Sequence, residues 1–175
     1  MLRLEGVTIS ARESRYDLVG PITMSVAKGE IFGVVGESGS GKTLTALSIP
    51  RLLPTELKTS GSITLDGNDL LTLSEAQMRN VRGRAVTVIF QEPASALNPV
   101  FTVGQQIEAV IRANTRLRGR AVRERMLELL ARVGIPDPAR RSSAYPHQFS
   151  GGMCQRVMIA MALASGARLL IADEP

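Results

Sequence analysis

The stretch Gly36-Glu37-Ser38-Gly39-Ser40-Gly41-Lys42-Thr43 constrains this chain more than any other. It fits glycine, any four residues, then Gly-Lys-Ser/Thr, a pattern that cradles phosphate. Glycines at 36, 39 and 41 let the backbone curl until successive N–H groups, including those of Glu37, Ser38 and Ser40, point inward at phosphate oxygens. Lys42 brings a compact cation to the β- and γ-phosphates, and Thr43 offers a hydroxyl to Mg²⁺. A helix beginning near Gly41 would aim its positive end at the same anions. Ile31-Phe32-Gly33-Val34-Val35 reads as a buried strand, and Thr43 to Ile49 as a helix. Strand, loop and helix in that order predict an α/β nucleotide-binding fold.

Composition bounds the class. The chain has 175 residues, 44% hydrophobic and 21% charged, which are globular values sufficient for one domain with a sizeable core. No run approaches ~18 consecutive apolar residues, so no spanning helix is expected. Met1-Leu2-Arg3-Leu4-Glu5 lacks the charged-then-apolar layout of a secretory signal. A single cysteine, Cys154, leaves no internal disulfide and fits a reducing compartment, so the expectation is a cytosolic protein. Net charge is +5, with seven arginines between Arg112 and Arg132. Aromatics are only 3%, and Glu124 and Glu128 lie among the arginines, so a solvated helical face is the better reading than a nucleic-acid surface.

Leu2, Leu4, Val7 and Ile9 predict a strand irregular near Gly6, and Ile22, Met24 and Val26 a second, with a polar loop over 12–21 between them. Together they predict a small antiparallel β layer feeding the parallel strand 31–35. Pro50 should end the helix near Ile49. After a linker, Gly61 to Leu65 reads as a strand with a turn at Asp66-Gly67. Residues 70–82 suit a short helix capped by Ser74. Ala85 to Phe90 suits an interior strand, 92–101 a loop, and roughly Val103 to Val133 a helical region. Val122, Met126, Leu129, Leu130 and Val133 share a face there, and Gly134 is placed to stop the helix. Ser150 predicts a cap for a buried helix running to about Ser165, followed by a buried strand, Leu169 to Ala172.

That last strand ends in Asp173-Glu174-Pro175. A carboxylate at the C-terminal end of a parallel strand lies where open α/β sheets bind ligands. Asp173 is the candidate Mg²⁺ ligand, through water, and Glu174 could polarise an attacking water. Gln91 follows another core strand and should stand at the same edge. Ser150-Gly151-Gly152 makes a second helix start able to receive an anion.

Phe149-Ser150-Gly151-Gly152-Met153 resembles the signature of ATP-binding-cassette (ABC) ATPases, usually Leu-Ser-Gly-Gly-Gln. The motif order matches over nearly the whole chain: phosphate loop, Gln91, signature, Asp173-Glu174. Phe90 to Pro93, Leu97 to Gly104 and Tyr145 to Met153 resemble the subfamily serving dipeptide, oligopeptide and nickel importers. The resemblance implies a P-loop NTPase fold, an ABC nucleotide-binding domain with an antiparallel β layer and a helical subdomain. It divides into 1–90 (nucleotide-binding core and β layer), 91–150 (Gln91 loop and helical subdomain) and 151–175 (signature helix and final strand). The activity it implies is ATP hydrolysis with ATP and Mg²⁺, Glu174 and Gln91 at the reacting water. Thr43, Gln91 and Asp173 would hold the metal, and Ser150, Gly151 and Gly152 would close on ATP held by another subunit. The implied partners are a second ABC ATPase subunit (in a homo- or heterodimer), two transmembrane permease subunits and, through them, an extracytoplasmic solute-binding protein. The implied location is peripheral, on the cytoplasmic side of the membrane.

Some positions depart from that pattern. The family's adenine-stacking aromatic falls near Ala11, with Tyr16 as the nearby substitute. Cys154 stands where a basic residue is usual, and Pro50 interrupts a helix. The later strands and switch histidine of the family are absent, and His147 precedes the signature, so the expectation is an N-terminal fragment with part of its sheet unpaired. A soluble ABC ATPase acting on nucleic acid or translation, and a truncated non-catalytic remnant, are the alternatives.

Overall fold

The computed structural model describes every residue except Arg15 and Pro175, so the close of the Asp-Glu-Pro run and one residue of the predicted 12–21 loop lie outside the described residues. Two compact units result, Met1–Arg79 and Asn80–Pro175.

The first unit is built on an antiparallel sheet. β1 (Leu2–Ala11) pairs with β2 (Asp17–Val26) on one side and with β3 (Leu57–Leu65) on the other, and β3 with the short β4 (Asn68–Asp69). Apolar alternation along β1 sends Leu2, Leu4, Val7 and Ile9 into the core. The register slips beside Gly6, between Leu4 and Val7, as the sequence predicted. Both flanking strands are longer than expected. Asp17 to Pro21, read as loop, belongs to β2 because Ser10 and Ile9 supply partners for Asp17 and Val19. Likewise Leu57 to Ser60 pairs with Ala11 through Thr8.

The strand predicted over 31–35 is a correction. Its residues have no ladder partner among the described residues, and Ile31 and Val35 are 100% and 93% exposed. Apolar, β-branched sequence does not make a strand without a neighbour to take its amides and carbonyls. The helix α1 (Lys42–Ser48) follows the loop and stops just before Ile49 and Pro50. A second short helix, α2 (Glu75–Val81), starts at Ser74, whose Oγ accepts from Gln77 N (3.4 Å) while Gln77 Oε1 accepts from Ser74 N (2.8 Å). This is the reciprocal cap expected of Ser-x-x-Gln.

In the second unit, β5 (Val86–Ile89) and β6 (Leu169–Ala172) run parallel. With two strands in this sheet among the described residues, β6 is not buried as predicted: Leu170 is 51% exposed. The loop after β5 contains one turn of helix, α3 (Pro93–Ala96). The predicted helical region 103–133 is two helices, α4 (Val103–Asn114) and α5 (Arg120–Arg132). Thr115 separates them, its Oγ1 donating to Ile111 O and accepting from Leu117 N. This local competition ends a helix.

Val122, Met126, Leu129 and Leu130 are buried as the periodicity predicted. Gly134 N and Ile135 N return to Ala131 O and Leu130 O and close α5. A short α6 (Pro138–Arg141) and a 3₁₀ turn at Pro146–Gln148 lead to α7 (Gly151–Ser165). α7 buries Cys154, Val157, Met158 and Ala160 in one core with Ile107, Ile111 and Leu130. Among the described residues no helix is long and apolar enough to cross a membrane.

Candidate nucleotide site

In the first unit, the loop 36–41 joins the exposed segment 31–35 to α1. Gly41 precedes the helix at φ +90°, and a Cβ there would lie 2.3 Å from Val19 Cγ2. Both the backbone and the neighbour exclude a side chain. Gly39 also takes positive φ, and a Cβ on Gly36 would lie 2.9 Å from Ser40 Oγ. Thr45 N and Oγ1 both donate to Gly41 O, at 2.8 and 2.9 Å, and fix the first turn. Lys42 Nζ bends back over the loop to donate to Gly36 O (2.9 Å) and Glu37 O (2.8 Å). Its ammonium therefore sits inside the curl, where phosphate oxygens could replace those carbonyls. Thr43 is half-buried on α1.

The β1–β2 turn carries Tyr16, whose N donates to Ser14 Oγ (3.0 Å). Its side chain is 83% exposed, so it is open to stacking; Ala11, at the end of β1, has no ring to offer.

In the second unit, register explains the contact between two predicted residues. Ile89 and Ala172 are partners, so Gln91 and Glu174 each stand two residues beyond the same rung. Gln91 Nε2 donates to Glu174 Oε2. Asp173 N donates to Ile89 O at 3.0 Å and carries the ladder one step further. The Asp173 side chain is buried, whereas Gln91 and Glu174 are exposed. Glu174 has a positive φ of +47°, outside the extended range of the strand before it.

Ser150 caps α7 as predicted, its Oγ accepting from Met153 N (3.4 Å). Gly151 and Gly152 are exposed, and a Cβ on either would meet nothing within 4 Å. Neither takes positive φ. Cys154 is buried beneath this start, its Sγ directed at Pro146 O (3.6 Å), and burial pushes its thiol pKa up. It does not replace the expected basic side chain on the surface. His147 lies outside the helix, stacked on Tyr145 with centroids 5.8 Å apart.

The sequence reading did not single out Arg141, whose guanidinium carbon is 5.8 Å from the Phe149 ring centroid. An arginine eight residues before an aromatic in irregular chain gives no local signal.

The family model described as ABC transporter matches residues 19–175. This chain belongs to the ABC transporter family. It is 50% identical over 159 residues to the peptidoglycan transport ATP-binding protein YejF of Agrobacterium fabrum, covering 90% of this chain and 29% of that protein. It is 47% identical over 156 residues to the oligopeptide transport ATP-binding protein OppD of Bacillus subtilis, covering 88% of this chain and 44% of the relative. The chain thus spans less than half the length of these curated relatives. Among solved structures, the dimeric, post-hydrolysis ATP-binding cassette MJ0796 bound to ADP and Pi superposes with a TM-score of 0.86 at 28% identity. That match covers 99% of this chain and 73% of MJ0796.

Within the second unit, the arginine-rich stretch has local partners: Arg112, Arg120 and Arg125 pair with Glu108, Glu124 and Glu128, and Arg118 donates to Thr115 O and Leu117 O. Such neighbours suit a solvated face.

Proposed function

We propose that the longer protein to which these residues belong is the ATPase subunit of a peptide importer, and that they supply most of its nucleotide-binding machinery. The observation that carries this reading is the unequal pair of glycine-rich helix starts. One is curled around Lys42. The other, at Ser150, offers two glycines that neither backbone φ nor any neighbour among the described residues requires. A second start left bare suits phosphate brought by another protomer. The names of the relatives supply the peptide class.

In this reading Lys42 and the amides of 36–43 hold the phosphates. The oxygen donors of Thr43, Asp173 and Gln91 suit Mg²⁺, a hard cation. The Asp173 carboxylate, on a buried residue, is a hard oxygen donor of the kind that ion prefers. When bound, Mg²⁺ supplies charge neutralisation at the phosphate oxygens. Glu174 takes the proton from the attacking water, and the Gln91 amide orients the Glu174 carboxylate. Ser150, Gly151 and Gly152 act on the other protomer's ATP.

The dimer would sit against two permease subunits on the cytoplasmic side of the membrane, with a solute-binding protein on the far side. The test is uptake of labelled peptide by vesicles containing the full-length protein and its permeases. ATP-dependent uptake abolished by Lys42→Ala supports the proposal. ATP hydrolysis without peptide stimulation or uptake counts against the importer role.

A further inference from the structure

The chain must reach Ser150 in extended backbone, φ −71° and ψ 161°, before α7 can begin. Its last anchor is Phe149, whose side chain is buried. The preceding turn is held by Tyr145 N donating to Gln148 Oε1 (2.8 Å) and Phe149 N donating to Pro146 O (3.0 Å). Those bonds shape the turn but do not fix the ring.

Arg141 does. It ends α6, with its N donating to Asp137 O (3.0 Å), and the next residue's carbonyl, Ser142 O, accepts from Gly104 N (2.8 Å). Arg141 therefore projects from a tethered support. Its Nε is buried without a hydrogen-bond partner among the described residues, and its guanidinium faces the Phe149 ring. A partly desolvated cation with an unused donor gains most from the negative face of an aromatic ring. Leucine, usual at this place in the signature, has no such face.

We infer that Arg141 is a positioning residue for the signature: by clamping Phe149 it sets where Ser150, Gly151 and Gly152 stand, and hence how well they close on a second protomer's ATP. The inference rests on the two-protomer reading above.

The experiment uses the full-length protein carrying Glu174→Gln to slow hydrolysis. ATP-driven dimerisation is measured by sedimentation, and ATP binding by equilibrium dialysis at concentrations where the monomer dominates. Arg141→Met is expected to weaken the ATP-loaded dimer about three- to tenfold, with monomer ATP affinity unchanged. In a Phe149→Leu background the same substitution should have no further effect. Arg141→Lys, which keeps a cation over the ring, should fall between the parent and Arg141→Met, or within about threefold of the parent if Arg141→Met does not fold.

The inference is overturned by an unchanged dimer in Arg141→Met, by equal losses with and without Phe149, by a larger loss in Arg141→Lys, or by weaker ATP binding to the monomer. If the Glu174→Gln parent itself stays monomeric with ATP, the two-protomer reading falls and takes the inference with it. If the parent dimerises and Arg141→Met is neutral, the inference alone falls.

Discussion

Two helices in this molecule start at glycine-rich sequence, and they use the glycines for opposite reasons. At α1, Gly41 is dictated from within: positive φ, with Val19 where a side chain would be. At α7, Gly151 and Gly152 have ordinary helical backbone and open space around them. A residue that its own chain does not need is a clue to something outside the chain. In the proposed reading the first start closes on a ligand, and the second is left clear for one to arrive.

The largest expected effect tests whether the second unit contributes chemistry. Glu174→Gln in the full-length protein should slow ATP turnover by about 10²- to 10⁴-fold while ATP still binds. Single-turnover hydrolysis checks this, and near-normal turnover would remove Glu174 as the base. Next, Lys42→Ala should weaken ATP binding by about 10- to 150-fold, the range for a lost charge-assisted hydrogen bond. Calorimetric titration with a non-hydrolysable ATP analogue reads it.

A matched pair then addresses the comparison itself. Gly41→Ala should destabilise the protein by about 1–3 kcal/mol through strain and the Val19 clash, lowering Tm. Gly151→Ala should leave stability unchanged or raise it by up to about 1 kcal/mol yet impair ATP-driven dimerisation. Equal thermal shifts in the two variants would erase the distinction drawn here.

The smallest effect concerns Cys154. Burial raises its folded pKa, so the unfolded chain ionises first as pH rises. The stabilisation is fully present below the ordinary thiol pKa of about 8.5 and is lost as pH climbs through the folded value. Denaturant midpoints between neutral and alkaline pH should therefore fall less in Cys154→Ala than in the parent.

Features set by local chemistry were legible from the residues. Ser74, Gly134 and Ser150 mark helix ends with their own side chains or backbone freedom, and the structure places the ends there. The one-sided face of α5 was equally readable. Features that depend on a distant neighbour were not. Ile31 to Val35 has strand composition but no partner among the described residues, and Asp17 to Pro21 has turn composition but acquires one.

The candidate site shows the same division. The Lys42 loop is local and could be read directly. Gln91 and Glu174 could each be placed at a strand end, but only the β5–β6 register turns two predictions into one hydrogen bond. The Arg141–Phe149 contact depends on how an irregular segment folds back, which no periodicity encodes.

The bare ribbon at Ile31 to Val35 has a practical consequence. Oily side chains beside amides with no ladder partner among the described residues are the ingredients of intermolecular sheet growth. A preparation limited to these 175 residues should therefore gain apparent mass with concentration even when no nucleotide is added. Light scattering from such a sample would report adhesion of ribbons, and only the increment produced by ATP would speak to a regulated clamp.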